Sequence, residues 1–243
     1  MGGRVEEGSL VLLDVSVYDT GTGELIMTTD EKEAESRGVK LSEKGPLLVQ
    51  VGSDEIFKPV MEALVGMEEG EEGEVIVEPA DAFGEYDEKK KEVFTERRLR
   101  REGINPSQLE IGETVVLEGR RGVVRSITGG RVVIDFNHPL AGKTLRVRFR
   151  VVKVLSEDAE IVRAVVANAF GVYPDDIEVD VRDGVATIRL CPAAFMRRDS
   201  LVRKYRALSK IMKLLETIRK VVFVEEFEIP AEESEPEGDS AES

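Results

Sequence analysis

Conventional side-chain chemistry in this chain would have to start from Cys191 and His138, its single cysteine and single histidine. A thiolate nucleophile needs a base beside it, and His138 is the one histidine available for that role. Their contexts argue against the pair: Cys191 closes the run TIRLC and reads as a small apolar residue ending a buried strand. One histidine does not make a zinc site without CxxC or HExxH partners, and the carboxylates lack the spacing of a calcium loop. No metal and no cofactor is expected. What remains is Asp81 to Val93, DAFGEYDEKKKEV, where a glycine and two aromatics precede a burst of charge. It reads either as a loop that carries a site or as a charged turn where one domain gives way to another.

The elements around that stretch decide how it is held. SLVLLDVSVY (9–18) has the β-branched content of a strand, TGTG (20–23) is a turn, and ELIMTT is a second strand. DEKEAESRG (30–38) predicts a short helix stopped by Gly38, and PLLVQVG (46–52) a strand. IFKPVMEALVG (56–66) places Ile56, Val60, Ala63 and Leu64 at helical spacing, and Glu74 to Glu78 reads as a strand. After Phe94 come a short basic helix, TERRLRREG, and three strands, ETVVLEG, RGVVRSI and RVVIDF, joined by tight turns. NHPLAGKTLRVRFRVVKVL then returns to a long strand, so a small β unit sits inside a loop of an antiparallel sheet. Residues 158–229 form a further unit. It has the helix DAEIVRAVVANAFG, a hairpin turning at Asp183-Gly184, a basic helix (197–220) and a closing strand, VVFVEEFEI. Leu201, Tyr205, Leu208, Ile211, Met212, Leu215 and Ile218 lie on one stripe of that helix, expected to pack on its own hairpin. The end, 230–243, is acidic and predicted to be disordered.

Composition bounds the rest. Aromatics make up 5% of the 243 residues and tryptophan is absent, so the cores must be built from Val, Ile, Leu and Ala. No apolar run approaches the ~20 residues of a membrane span, and the N-terminus lacks an apolar signal segment. A soluble cytoplasmic protein is expected. The net charge of −15 disfavours general nucleic-acid binding. It is also uneven: 1–91 carries −14, while 92–137 carries +1.

Three separated motifs, in order, carry a family resemblance: LVGMEEGEEGEV (64–75), DAFGEYDE (81–88) and FNHPLAGKTLRVRF (136–149). Together they resemble FKBP-type peptidyl-prolyl cis-trans isomerases, more narrowly the SlyD-like group with an insert-in-flap domain, in its long archaeal form. The resemblance implies an α+β fold: an FKBP-like antiparallel sheet wrapped on a short helix (1–91 and 138–155), an inserted small β domain (92–137) and a C-terminal α+β domain (156–229). It implies prolyl isomerisation, with a chaperone role for the insertion and unfolded or partly folded proline-containing chains as partners. The opening question then has a double answer: Phe83 lines a prolyl pocket, and the charge after it is the exit into the insertion.

Carried over position by position, the resemblance implies a catalytic set of Phe83, Phe57, Ile56, Ile26 and Met27. Val15, Leu47, Val49, Val60, Leu140 and Val147 line the substrate, and the Phe57 N–H donates to a substrate carbonyl. The departures are the pocket aspartate, replaced by Met27; the floor aromatic, replaced by Val60; the loop tyrosine, replaced by Phe83; and a last-strand aromatic, replaced by Val147. Val15 falls where the family usually has a tyrosine, in an alignment that could slip by a residue or two. A wider, softer pocket with weak activity and weak affinity for macrolide inhibitors follows. Val115, Leu117, Val123, Ile127 and Val133 are the residues expected to meet clients, because a ~45-residue unit buries a smaller share of its apolar surface. A binding module with little catalysis is the alternative, and a ribosome contact through the basic helix a further one. Monomer and dimer both stay open.

Overall fold

The computed structural model describes residues 3–39, 41 and 44–227. The predicted acidic tail therefore lies outside the described residues. The chain divides into two compact units: 1–42 with 49–154, and 43–48 with 155–243.

In the first unit β1 (Leu10–Asp19) pairs antiparallel with β2 (Leu25–Thr28). Then come α1 (Glu31–Arg37), β3 (Leu47–Gln50, whose first two residues group with the second unit), α2 (Lys58–Leu64) and β4 (Glu72–Val77). The insertion contributes β5 (Lys91–Thr95), α3 (Glu96–Arg101), β6 (Thr114–Leu117), β7 (Arg120–Thr128) and β8 (Arg131–Asp135). The return strand is β9 (Leu145–Leu155), and the main sheet runs β2-β1-β9-β4 with β3 on β1. Alternation does what the period of a strand requires: in β9 Leu145, Val147, Phe149 and Val151 are buried while Arg148 and Arg150 are exposed. Gly73 faces Phe149 across the β4–β9 pair, and a Cβ there would come within 2.5 Å of the ring, so the ring lies in the space glycine leaves.

The family-like helix is shorter than its sequence pattern. Ile56 and Phe57 precede α2, with Phe57 as its N-cap and Pro59 in its first turn. The α1 helix stops at Gly38 as read, at φ 65°, and its start is capped by Asp30, which accepts the Glu33 N–H.

The insertion is a four-stranded sheet, β5-β8-β7-β6, around Phe94, Leu99, Val115, Leu117, Val124, Val132 and Ile134. Strand β5 was not expected from sequence; it pairs with β8 and opens the insertion at Lys91. Val115 and Leu117, expected to meet clients, belong instead to this core. The reason is register: along β6 they alternate with exposed Thr114 and Val116.

The second unit packs α4 (Asp158–Phe170) beside a sheet of β10 (Glu178–Arg182), β11 (Val185–Leu190) and β12 (Lys220–Glu225). The chain between β11 and β12 forms α5 (Pro192–Phe195) and α6 (Ser200–Leu214). The β10–β11 turn has Asp183 at φ 51° and Gly184 at φ 74°, the two positive values a type I′ turn demands. β12 lies parallel to β11. The stripe on α6 divides: Ile211 and Leu215 are buried, with Ala207 from outside the stripe beside them in the core, whereas Leu201, Tyr205 and Met212 are exposed. The helix ends at Leu214, before Ile218, and beyond its end Thr217 Oγ1 donates to Asp158 at 2.6 Å. Several of its cations are satisfied within the unit, Arg203 on Asp199 and Lys204 on Glu225. Among the described residues no helix is long and apolar enough to cross a membrane.

Candidate functional site

Strand β1 supplies Val15, α2 supplies Val60 and β9 supplies Val147, all fully buried. They lie in the core rather than at a surface. Val49 in β3 is buried too, while Leu47 groups with the second unit. The solvent-reachable members of the predicted set are Ile26 and Met27 in β2, Ile56 and Phe57 ahead of α2, Phe83, and Leu140 after the insertion. Of these, Phe57 and Phe83 are brought together as an aromatic rim at the entry to α2.

That rim is the most defined feature. The rings of Phe57 and Phe83 meet edge to face at 5.7 Å and 82°, a preferred aromatic geometry. Phe83 is 37% exposed. His138 stacks on it at 4.3 Å with 4° between the planes. Among the described residues the Phe57 N–H finds no acceptor, while the Phe57 carbonyl accepts Val60 and Met61 N–H groups at 3.0 and 3.2 Å.

The loop bearing Phe83 is braced from two sides. Gly84 N–H donates to Pro79 O at 2.8 Å, and Gly84 O accepts the Gly142 N–H at 2.8 Å. Beyond it, the Tyr86 hydroxyl donates to Asp135 Oδ2 at 2.9 Å. Arg125 Nε donates to the same oxygen at 3.1 Å, and Asn137 donates to Oδ1 from its backbone (2.9 Å) and side chain (2.8 Å). The Asn137 amide also holds Asp87, accepting its N–H at 3.0 Å and donating to its carbonyl at 2.9 Å. Burial pushes the Asp135 carboxyl up, but the bonds from Asn137, Tyr86 and Arg125 outweigh it and hold the group below the ordinary carboxylate range.

Sequence reasoning missed this bracing and the place of His138, which it weighed only as a partner for Cys191 and as a metal ligand. The motif FNHPLAG carried the signal, since Asn137 and His138 both lie on the return limb. Tyr18, three residues beyond Val15 in β1, is engaged elsewhere. Its hydroxyl donates to Glu33 on α1 at 2.5 Å, in a polar groove of about 830 Å³ ion-paired by Asp14–Arg150 and Glu74–Arg148, both 2.7 Å. Among the described residues no group of three or more His, Cys, Asp or Glu converges to hold a metal.

Comparison with known proteins finds matches along most of the chain. The model of the FKBP-type peptidyl-prolyl cis-trans isomerase matches residues 4–115, that of the FKBP26 IF domain 96–140, and that of the FKBP26 C-terminal domain 158–228. A short-type peptidyl-prolyl cis-trans isomerase of Methanocaldococcus jannaschii is 29% identical over 140 residues, covering 57% of this chain and 87% of that one. An FKBP-type 16 kDa isomerase of Escherichia coli is 30% identical over 114 residues, 45% of this chain and 74% of its own. SlyD of Aeromonas hydrophila is 31% identical over 161 residues, 65% of this chain and 68% of its own.

Proposed function

Because the chain belongs to the FKBP-type peptidyl-prolyl cis-trans isomerase family, we propose that the rim of Phe57 and Phe83 is where it receives a prolyl bond, with Ile26, Met27, Ile56 and Leu140 as apolar walls. Val15, Val49, Val60 and Val147 then support the walls from beneath. The observation that carries this reading is the edge-to-face pair beside an unpaired N–H at the entry to α2.

Rotation about an X–Pro bond must overcome a resonance barrier of roughly 18–20 kcal/mol. No covalent bond is made or broken. In the half-rotated amide the C–N bond loses double-bond character and the carbonyl its polarity, so an apolar surface favours it over the planar form. The Phe57 N–H holds a neighbouring carbonyl while the far end turns. This is preferential binding of the transition state, worth tenfold in rate per ~1.4 kcal/mol. Buried Val60 and Val147, standing where the family has aromatics, leave that surface shallow, and a modest rate follows. In a proline-limited refolding assay with a substrate that does not aggregate, the wild type should accelerate folding, and Phe83→Ala should lower kcat/KM about tenfold. Equal rates for the two proteins would remove Phe83 from the site.

The insertion is proposed to hold unfolded chain. Val93, Val116 and Ile127 are exposed, Val123 and Val133 half-buried, and Val93 stands opposite Val133 in register. With Val115 and Leu117 inside the core, the client surface shifts to these residues. Replacing 92–137 by a short turn should abolish suppression of aggregation while tetrapeptide isomerisation persists. Parallel loss of both activities would argue for one shared site.

A further inference from the structure

We propose that His138 is a positioning residue for isomerisation: its imidazole forms the shelf that sets the angle of the Phe83 ring. The inference rests on the reading of Phe83 as a pocket residue. Phe83 carries no polar atom beyond its backbone, so no side-chain hydrogen bond can orient it. Packing alone must do so. Its two ring neighbours are Phe57, met edge to face, and His138, met face to face at 4.3 Å and 4°. An exposed phenyl on a loop otherwise turns freely about its side-chain bonds, and an untethered ring loses rotational entropy when a prolyl ring docks. A ring already held parallel to a fixed plane loses less.

The shelf is itself fixed. His138 Nδ1 accepts the Leu140 N–H at 3.2 Å, which places the ring proton of the neutral imidazole on Nε2 and orients the ring. The His138 carbonyl accepts the Ala141 N–H at 2.9 Å, closing the same turn. One residue later Gly142 donates to Gly84, directly after Phe83. Gly142 stands at φ 73°, and a Cβ there would lie 2.8 Å from Tyr86 Cβ. The return turn 138–142 and the Phe83 loop therefore touch at two places, through the stacked rings and through the Gly84–Gly142 bond. Neither Cys191 nor any metal is needed for this role, and it accounts for the chain's one histidine.

The stack and the Nδ1 bond of His138 allow the ring and the turn to be tested separately. His138→Phe keeps a flat ring and loses the Nδ1 acceptor. His138→Asn keeps an acceptor of similar reach and loses the ring. Against a tetrapeptide substrate, His138→Ala should lower kcat/KM roughly 3- to 10-fold, the range expected for one aromatic pair. His138→Phe should recover to within about twofold, and His138→Asn should not recover. In a Phe83→Ala background, His138→Ala should cause no further loss, since the shelf has nothing left to hold. Thermal midpoints of all variants, read alongside, report the turn. Rescue by Asn and not by Phe overturns the proposal, as does full activity of His138→Ala or an additive double variant. If Phe83→Ala itself is fully active, the pocket reading fails first and the shelf falls with it. Loss in Phe83→Ala with none in His138→Ala defeats the shelf alone.

Discussion

Gly122→Val should unfold the insertion and abolish suppression of aggregation. Gly122 lies in β7, where a Cβ would meet Ile134 Cγ2 at 2.5 Å and the Phe136 ring at 2.8 Å. Both neighbours belong to the insertion's packed interior, Ile134 in its buried core and Phe136 against it. Overpacking a close-packed core costs about 1–3 kcal/mol, and valine adds two further methyl groups to the same clash. A core built on seven buried residues has little reserve against that. Far-ultraviolet circular dichroism should show loss of strand signal at 37 °C, and aggregation of a model client should proceed as if no protein were added. Tetrapeptide isomerisation should persist at a reduced level, because His138 and Gly142 still support the Phe83 loop while Asp135 no longer does. A Gly122→Val protein that melts with the wild type would show that β7 can shift to admit a side chain, and the packing account of this core would fail.

How much of this was legible beforehand follows from what kind of signal each element leaves. Strand β1, the hairpin at Asp183-Gly184 and the α1 cap rest on local pattern and turn chemistry, and the structure has them where the residues put them. The presence of an inserted unit was legible because its entry and exit motifs are local. The faces within it were not. Nine aliphatics along β6, β7 and β8 read as a surplus, but which of them point inward depends on register, and a shift of one residue exchanges the faces. Val115 and Leu117 went to the core for that reason. Strand β5 was hidden in a charged segment, KEVFT, that becomes a strand only by pairing with β8. On α6 the apolar stripe was real, yet Leu201, Tyr205 and Met212 stay exposed because the buried seam runs through Ala207, Ile211 and Leu215. The rim showed both limits at once. Phe83 was named from its motif and Phe57 from the family resemblance, whereas the stack of His138 on Phe83 joins residues 55 positions apart, and no spacing rule announces such a contact.

The Asp135 cluster gives the second large effect, and it ties the insertion to the Phe83 loop. Asp135 is 1% exposed and ionised, and its two oxygens accept four bonds, two from Asn137, one from Tyr86 and one from Arg125. Removing the carboxylate leaves the Asn137 amide and backbone N–H facing an empty site, while Arg125, half exposed, returns to water. Asp135→Ala should therefore cost roughly 2–4 kcal/mol, read as a lower urea midpoint. Tetrapeptide isomerisation should fall a few-fold, since Tyr86 is anchored three residues beyond Phe83. The pH dependence has a definite sign. The folded carboxyl titrates below its ordinary value, so its contribution is complete above the unfolded value of about 3.9 and is lost as pH falls through the folded one. Between pH 7 and pH 3 the wild type should lose more stability than Asp135→Asn, which keeps the shape of the side chain and has no proton to gain. Equal losses in the two proteins would mean that Asp135 is not held ionised by its neighbours, and the coupling of insertion to loop would have to run through Gly84 and Gly142 alone.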